Sequence, residues 1–590
     1  MAAVEMMTGA EMVLRALADH GVSHVFGYPG GAVLPIYDEF FQQDKVKHIL
    51  VRHEQGATHM AEGYARSTGK CGVALATSGP GATNCITGLM DALADSIPMV
   101  CITGQVPSHL IGSDAFQECD TVGITRPCTK QNWLVKDVND LARTLHEAFY
   151  VATTGRPGPV LIDIPKDVQF ATGKYVGLQD IIVKSYQPKI QPDEKAVAAA
   201  VALMASAKKP LFYTGGGVIN SGDKASELLR EFVALTGIPV TSTLMGLGAY
   251  PASGSEWLGM LGMHGTYEAN MCMHECDVMI NVGARFDDRI TGRLDAFAPN
   301  SRKIHIDIDP SSINKTVRVD IPVVADVAAA LAAMIALWKQ SEAKLDQNAL
   351  NAWKKQIVAW KSVNSLSYRN NKDVIMPQYA IERLYELTKN YDTYITTEVG
   401  QHQMWAAQFY RFEEPNRWMT SGGLGTMGYG LPAAVGVQVA HPKSLVIDIA
   451  GDASVQMTMQ EFSTAIQYKL PIKIFILNNQ YMGMVRQWQQ LLHGNRMSES
   501  YSEALPDFVK LAEAYGGVGF RCDKPANLDG VIKEMIASPH PVLFDCRVAN
   551  LANCFPMIPS GKAHNEMLLG ENVSDEEVGT AIDARGKQLV

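Results

Sequence analysis

The sequence predicts an α/β protein made of three doubly wound parallel-sheet domains. Apolar stretches of strand length alternate with helical stretches, and many of the strands run into glycine-rich turns. A chain of 590 residues also exceeds what one hydrophobic core supports. Polar stretches without clear apolar periodicity, near 171–195 and 340–372, read as linkers. We therefore expect domains over 1–175, 190–350 and 373–560, followed by a C-terminal tail over 561–590.

Composition narrows the class of protein. The formal net charge of -10 comes without a basic block, which argues against nucleic acid as a partner. No apolar run reaches bilayer length and the first twenty residues do not form a leader, so we expect no membrane association and a cytoplasmic location. The ten cysteines are scattered, and the one close pair, Cys272 and Cys276, is expected to be core thiols.

The first domain contains repeated strand–helix units. A strand over 49–52 leads into a helix that starts at Glu54, where a carboxylate is also favourable for purely structural reasons. Thr77–Asn84 follows a strand from Val73 and is expected to open one helix through Ala92. The loop 105–117 is long enough to line a channel, although simple packing is the plainer role for Phe116.

The middle domain restarts the alternation, with strands over 210–214 and 278–282. Gly215, Gly216 and Gly217 follow the first of these strands but do not form the G-x-G-x-x-G pattern of dinucleotide sites. Arg285 suits a phosphate and Asp307 suits a ribose hydroxyl, each beyond a strand. Surface ion pairs on a domain without a ligand are the alternative.

The third domain carries the most informative unit, a strand–helix–strand segment. An apolar strand over 444–450 leads through Gly451 to Asp452, and a second over 472–477 leads to Asn478 and Asn479. Between them, Thr458 and Glu461 stand at the spacing of a capping box and predict a helix start. The carboxyl ends of parallel strands meet at one edge of a sheet, where ligands bind in open α/β folds.

This edge offers oxygen ligands. Asp452, Asn479 and the carbonyl of Tyr481 supply three oxygens, half of the octahedral shell of Mg²⁺, which is commonly shared with substrate phosphates. A plain turn and a loop are the alternative explanation. The glycine-rich stretch 421–430 leads into a helix whose free backbone amides suit a diphosphate, and 553–561 is expected to fold over the site.

These stretches carry a family resemblance. The 25 residues 453–477 between Asp452 and Asn478 resemble the spacing of the metal–diphosphate motif of thiamine-diphosphate enzymes, with Ala453 replacing the usual glycine. Arg52–Ala57 resembles the segment that carries their glutamate. From 26–31 to 556–561, the chain resembles the catalytic large subunits of the acetolactate synthase (acetohydroxyacid synthase) family. The most discriminating stretches are 283–289, 400–405 and 478–488.

The resemblance implies a fold, cofactors and an assembly. It predicts a pyrimidine-binding domain, a central FAD-binding domain and a diphosphate-binding domain, with thiamine diphosphate, Mg²⁺ and FAD as cofactors. Its metal ligands are Asp452, Asn479 and Tyr481. Because the family builds its thiamine site between subunits, a homodimer or homotetramer is implied, with a small regulatory subunit as a further partner.

The resemblance also assigns cofactor-binding residues. Those expected at thiamine diphosphate are Val399, Gly400, Gln401, His402, Gly425, Met427, Gly451, Ala453, Ser454, Met482, Gly483 and Met484. Those expected along FAD are Arg156, Gly215, Gly216, Gly217, Thr243, Leu244, Met263, His264, Gly283, Arg285, Asp287, Asp307, Ile308 and Asp326. FAD has no redox step in the implied reaction, so a structural role is expected for it.

The implied reaction begins the common part of branched-chain amino acid biosynthesis. Pyruvate is decarboxylated on thiamine diphosphate, and the hydroxyethyl enamine condenses with pyruvate to 2-acetolactate or with 2-ketobutyrate to 2-aceto-2-hydroxybutyrate. Glu54 is expected to contact the pyrimidine ring and Arg289 the acceptor carboxylate. The residues expected to shape the acceptor slot and the access channel are Trp488, Phe116, Gln117, Gly31 and Lys166.

Other functions remain open at the level of sequence. A pyruvate oxidase shares these domains but reduces its flavin during turnover. Glyoxylate carboligase carries an apolar residue where Glu54 stands here. A non-catalytic flavin- or nucleotide-binding regulatory subunit would not need the combination of Glu54, Asp452 and Asn479, and a purely structural protein ranks last.

Overall fold

The computed structural model describes residues 4–178 and 183–570. Within them, three six-stranded parallel sheets are flanked by helices, which confirms the predicted fold class. Among these residues, no helix is both long and apolar enough to cross a membrane. The prediction for the tail beyond 570 lies outside the described residues.

The first region forms one parallel sheet and one short antiparallel sheet. Its strands are β1 (Val4–Thr8), β2 (His24–Gly27), β3 (Lys47–Leu50), β4 (Gly72–Ala76), β5 (Met99–Gln105), β6 (Gln131–Leu134), β7 (Pro159–Pro165) and β8 (Thr172–Val176). Its helices are α1 (Gly9–Asp19), α2 (Leu34–Phe41), α3 (Glu54–Thr68), α4 (Pro80–Asn84), α5 (Ile86–Asp95), α6 (Thr121–Thr125), α7 (Val138–Thr153) and α8 (Lys166–Phe170). The parallel sheet has the order β3-β2-β4-β5-β7-β6.

The middle region has the strand order of dinucleotide-binding sheets. Its strands are β9 (Pro210–Thr214), β10 (Val240–Ser242), β11 (Trp257–Met260), β12 (Val278–Val282), β13 (Arg302–Asp307) and β14 (Ile321–Val324). Its helices are α9 (Glu194–Ala205), α10 (Gly216–Asn220), α11 (Asp223–Thr236), α12 (Tyr267–Glu275), α13 (Asp288–Thr291), α14 (Val327–Gln340) and α15 (Gln347–Lys361). The order β11-β10-β9-β12-β13-β14 is 3-2-1-4-5-6 within the region, so the topological switch point lies between β9 and β12.

The third region repeats the topology of the first. Its strands are β15 (Thr393–Thr397), β16 (Trp418–Met419), β17 (Leu445–Gly451), β18 (Lys473–Asn478), β19 (Val518–Cys522) and β20 (Val542–Arg547). Its helices are α16 (Pro377–Thr388), α17 (Gln401–Phe409), α18 (Gly430–Ala440), α19 (Phe462–Gln467), α20 (Gly483–Leu492), α21 (Phe508–Tyr515) and α22 (Pro525–Ala537). The order β16-β15-β17-β18-β20-β19 matches the first sheet strand for strand.

The first and third regions share a core, while the middle region has its own. Helices α3 and α18 pack so closely that a Cβ atom on Gly63 would overlap the carbonyl of Ala433, and one on Gly436 would overlap the carbonyl of Met60. One apolar cluster therefore contains buried residues of both regions. This packing holds the two related sheets in a fixed relation to each other.

Both predicted linkers contain structure. The stretch near 171–195 includes β8, which pairs antiparallel with β1 and places Tyr175 in the core. The polar stretch near 340–372 includes α15, whose Leu350, Trp353 and Ile357 are buried in the middle core. In each stretch the apolar residues are too few and too widely spaced to reveal the packed face.

Two local predictions were also wrong. The helix expected over 77–92 is interrupted at Cys85, between α4 and α5. The capping box at Thr458 and Glu461 does not form: Thr458 Oγ1 donates to Gly428 O, and Glu461 accepts the backbone N–H of Arg52 instead. For the capping box, contacts distant in sequence outweigh the local pattern.

Candidate active site

A cavity of about 670 Å³ lies between the strand ends of the middle and third regions. Every residue predicted for the metal and for thiamine diphosphate lines it, as do Arg289 and Trp488. Of the residues predicted for FAD, all but Gly215 line it as well. The structure thus brings together two sets of residues that the sequence places far apart.

The predicted metal ligands meet at the ends of two neighbouring strands. β17 and β18 pair in parallel with Gly451 beside Leu477, so Asp452 and Asn479 follow adjacent strand ends. The Asp452 carboxylate is buried, its Oδ2 atom lacks a hydrogen-bond partner among the described residues, and burial raises its pKa to about 7. Among the described residues, Asn479 Oδ1 accepts only the backbone N–H of Tyr481, at 3.2 Å. A divalent cation would satisfy these oxygens, so the residues fit Mg²⁺.

Two helix N-termini border the same end of the cavity. Helix α17 starts at Gln401 and α20 starts at Gly483, and both starts line the cavity. Unpaired backbone N–H groups at helix starts attract anions. The His402 ring lies so close to Gly400 and Gly451 that a Cβ atom on either would come within 2.8 or 2.7 Å of it. These features fit a diphosphate beside the metal.

The glycine-rich loop after β16 is held by buried polar groups. Ser421 Oγ accepts the N–H groups of Gly425 at 3.0 Å and Thr426 at 2.8 Å. Further along, the Glu398 carboxylate accepts the N–H groups of Gly428 and Leu431. Burial raises the pKa of Glu398 to about 7. The loop therefore presents Gly425 and Met427 to the cavity in a fixed conformation.

The other end of the cavity lies at the switch point of the middle sheet. Gly217 N donates to Gly283 O at 2.9 Å, and a Cβ atom on Gly217 would come within 2.7 Å of the Gly283 Cα. Gly283 also has φ +67°, which disfavours a side chain. Gly215, which does not line the cavity, packs against the same Gly283 segment. Glycine here permits the close backbone approach that a dinucleotide requires, so these residues fit FAD.

Charged residues surround the switch point. Arg156 Nε donates to Ser96 Oγ at 2.7 Å and its guanidinium pairs with Asp309 at 3.5 Å. Arg285 donates to the carbonyl of Ala94, and Asp307 ends β13 with a buried carboxylate. Each arginine retains donors, because a guanidinium has five. Two cations and a carboxylate match the phosphates and a ribose of a dinucleotide.

The C-terminal segment packs against two residues that line the cavity. Ile558 N donates to Met263 O at 2.8 Å, and His264 Nδ1 lies 3.0 Å from Pro556 O. Burial lowers the pKa of His264 to about 4, so the ring is neutral and Nδ1 donates to the carbonyl. Its Nε2 atom, which lacks a partner among the described residues, is left as an acceptor. The segment 553–561 thus contacts residues of the cavity wall, but none of its own residues lines the cavity, so its placement over the site stays a prediction.

Arg289 and Trp488 meet at the opening. The Arg289 guanidinium lies 5.6 Å from the centre of the Trp488 ring, and the arginine side chain is 58% exposed. Trp488 projects from α20 and its Nε1 atom has no partner among the described residues. The pair thus places a cation and a flat apolar surface side by side.

Five predicted residues lie outside this cavity: Glu54, Gly31, Phe116, Gln117 and Lys166. Glu54 is buried and accepts a hydrogen bond from Asn84 Nδ2 at 2.9 Å. Phe116 is 88% exposed, and the glycine at 31 has no atom within 4 Å of its Cβ position. A single chain therefore does not join these residues to the metal site.

Sequence reasoning missed the end of α5. Ala94, Asp95 and Ser96 line the cavity. Asp95 closes an ordinary helix and belongs to no motif, so nothing in the sequence distinguishes it from a surface acid. Only its contacts across the fold identify it.

Comparison with known proteins decides the family. Models of thiamine pyrophosphate enzymes match in three parts: the N-terminal TPP binding domain over 7–124, the central domain over 197–334 and the C-terminal TPP binding domain over 398–546. The chain is 49% identical to the acetolactate synthase isozyme 3 large subunit of Escherichia coli (strain K12) over 573 residues, covering 96% of this chain and 99% of that protein. The chain belongs to the acetolactate synthase large-subunit family.

Other members of the acetolactate synthase large-subunit family are similarly related. The large subunit of Haemophilus influenzae is 49% identical over 568 residues, covering 96% of this chain and 98% of that protein. The large subunit of Porphyra purpurea is 46% identical over 580 residues, covering 97% of each chain. The resemblance predicted from the sequence motifs is thus confirmed over nearly the full length.

Proposed function

We propose that this chain is the catalytic subunit of an acetolactate synthase that depends on thiamine diphosphate. It decarboxylates pyruvate and joins the remaining two-carbon unit to a second 2-keto acid, giving 2-acetolactate from pyruvate or 2-aceto-2-hydroxybutyrate from 2-ketobutyrate. The observation that carries the proposal is the meeting of Asp452, Asn479 and Tyr481 with two helix N-termini in one cavity. Full-length similarity to acetolactate synthase large subunits supports the same activity.

Residues of the third region hold the cofactor. Asp452, Asn479 and the Tyr481 carbonyl would ligate Mg²⁺, and the backbone at the starts of α17 and α20 would receive the diphosphate. When bound, thiamine diphosphate supplies the carbon that adds to the pyruvate ketone and accepts the electrons released with CO₂. Met427, which the loop contacts hold at the cavity wall, would pack against the bound cofactor and constrain its shape.

Glu54 comes from a second subunit. Its carboxylate would accept a hydrogen bond at the ring nitrogen of the pyrimidine and so favour the tautomer that can take up a proton. It does not line the cavity of its own chain, which supports a homodimer or larger homo-oligomer with the site at the interface. Gly31, Phe116, Gln117 and Lys166 of the partner subunit complete the channel in the same way.

Acceptor choice depends on Arg289 and Trp488. The exposed guanidinium binds the carboxylate of the second 2-keto acid in a bidentate manner. The indole beside it gives an ethyl group more apolar contact than a methyl group. One methylene contributes about 1–3 kcal/mol, which favours 2-ketobutyrate over pyruvate by roughly tenfold or more.

FAD binds at the middle sheet in a structural role. The 3-2-1-4-5-6 strand order, the glycine contact at the switch point and the cations Arg156 and Arg285 support its binding there. The reaction transfers no net electrons, so the flavin is not reduced during turnover. Relatives are named large subunits, which supports a small regulatory subunit as a further partner.

One assay tests the function. Purified protein is given pyruvate, Mg²⁺, thiamine diphosphate and FAD, while the products are identified and the flavin spectrum is followed. We expect CO₂ and 2-acetolactate with an unchanged oxidised flavin spectrum. Acetate or acetyl phosphate together with flavin bleaching at the turnover rate would instead establish an oxidase.

A further inference from the structure

The carboxyl end of α5 touches all three regions at the cavity wall. The Asp95 carboxylate accepts the backbone N–H of Gly422 at 2.9 Å and that of Gly423 at 2.7 Å. On either side of it, the carbonyl of Ala94 accepts from Arg285, and the carbonyl of Ser96 accepts Asn220 Nδ2 at 3.1 Å. One helix end of the first region therefore holds the glycine-rich loop of the third region and two side chains of the middle region.

A second acid, one turn earlier on α5, acts on the same loop. Asp91 Oδ1 accepts the hydroxyl of Ser421 at 2.7 Å. Because a hydroxyl has only one proton, this bond directs the lone pairs of Ser421 Oγ to the N–H groups of Gly425 and Thr426. The side chains of Asp91, Asp95 and Ser421 are buried, so water competes little for them, whereas Gly423 and Gly425 of the loop are exposed.

The chemistry of Asp95 requires a carboxylate. Its two oxygens accept from successive N–H groups, whereas an amide of the same shape offers one acceptor and would turn an NH₂ group towards an N–H. The neighbouring contact is also electrostatic, because Arg285 binds a carbonyl at the negative end of the helix dipole. The same short segment thus fixes a loop on one side and a cation on the other.

We propose that Asp95 is a positioning residue that couples the flavin end of the cavity to the diphosphate end. The inference rests on the proposed function, since it takes thiamine diphosphate and FAD as the ligands. A flavin held by Arg285 and Asn220 restrains the end of α5, and Asp95 transmits that restraint to the loop that presents Gly425. Each cofactor therefore binds more tightly when the other is present, by the same factor in both directions.

Calorimetry on protein freed of cofactors tests the coupling. The Kd for thiamine diphosphate with Mg²⁺ is measured with and without saturating FAD, in the wild type and in Asp95→Asn. In the wild type we expect FAD to tighten binding at least fivefold. In Asp95→Asn we expect the Kd to rise about tenfold or more, as for loss of a hydrogen bond to a charged group, and FAD to have little effect.

A matched variant separates coupling from general damage. Asp163→Asn removes another buried carboxylate of the first region, one that accepts from Thr103 Oγ1 at 2.7 Å and lies outside the cavity. We expect this control to retain wild-type affinities and coupling, whatever its melting temperature. Equal losses in the two variants, or unchanged coupling in Asp95→Asn, would overturn the proposal.

A milder variant covers the case in which Asp95→Asn does not fold. Ser421→Ala removes the hydroxyl that receives Gly425 and Thr426 but leaves Asp95 intact. We expect thiamine diphosphate to bind several-fold more weakly, while the affinity for FAD, measured without thiamine diphosphate, is unchanged. Wild-type affinity for both cofactors would contradict the positioning role. If the wild type binds neither cofactor, the proposed function itself fails.

Discussion

Glu461 accepts the backbone N–H of Arg52 through both carboxylate oxygens, at 3.0 and 3.1 Å. Glu461 precedes α19, between the two strands of the metal site, and Arg52 lies two residues before Glu54. The bond therefore joins the segment that carries Glu54, the proposed pyrimidine-binding acid, to the unit that carries the proposed metal ligands of the same chain. If Glu54 acts in the active site of a neighbouring subunit, this contact links the two active sites of a dimer.

Replacing Glu461 tests this connection. Burial raises the pKa of Glu461 to about 7, and Glu461→Gln would leave an amide group facing a backbone N–H. We expect a loss of about 1–3 kcal/mol in the free energy of unfolding, measured by urea denaturation. The exposed control Glu534→Gln should change it by less than about 0.5 kcal/mol. Equal stabilities of the two variants would show that the bond is unimportant.

Trp488→Leu is expected to change product choice without blocking turnover. The indole face beside Arg289 is replaced by a smaller, branched side chain, so the contact that favours an ethyl group is reduced. In a competition between pyruvate and 2-ketobutyrate, the ratio of 2-aceto-2-hydroxybutyrate to 2-acetolactate should fall several-fold. Trp360→Leu, which alters the middle core outside the cavity, should leave the ratio unchanged. An unaltered product ratio in Trp488→Leu would show that Trp488 does not shape the acceptor slot.

The contact between α3 and α18 predicts a strong effect of one methyl group. Gly436→Ala places a Cβ atom on the carbonyl of Met60, so we expect destabilisation by about 1–3 kcal/mol and a lower melting temperature. Gly530→Ala in α22 is the control, because its Cβ meets nothing within 4 Å. That change should raise stability by about 0.4–1 kcal/mol. A Gly436→Ala protein as stable as the wild type would mean that the helices can separate freely.

Buried histidine should make the fold sensitive to acid. Burial lowers the pKa of His48 to about 4, whereas an unfolded histidine titrates near 6.5. Between these values the unfolded state binds more protons, so the free energy of unfolding falls as the pH drops from about 6.5 to about 4. His48→Gln, which retains a partner for the Tyr37 hydroxyl, should lose less stability over that range than the wild type. Parallel pH profiles of His48→Gln and the wild type would contradict the assignment. The control is His493→Gln, which replaces an exposed histidine.

Much of the fold follows from local pattern. The strands 210–214 and 278–282 have the predicted bounds, because fully buried parallel strands are short apolar runs closed by glycine or polar residues. The same rule placed Asp452 and Asn479 on neighbouring strand ends, which the pairing of β17 with β18 confirms. The family motifs then indicated the cavity residues around them.

What the sequence did not reveal depends on contacts between distant segments. Thr458 and Glu461 match a capping box, yet each bonds to another part of the chain. Asp95 has no local signal because its partners, Gly422 and Gly423, lie more than three hundred residues away. Helix α15 looked like a linker because only one face of it, including Trp353, is buried.

The central claim is that Glu54 of one subunit and Asp452 of another form one site. Mixing Glu54→Gln subunits with Asp452→Ala subunits tests it most directly, with acetolactate formation as the readout. Each variant alone should lose activity by about a hundredfold or more while remaining folded. In a mixed dimer one site contains both substitutions and the other contains neither, so random exchange should restore about a quarter of wild-type activity. If the mixture stays as inactive as its components after subunit exchange is verified, Glu54 and Asp452 do not meet across an interface and the account is wrong.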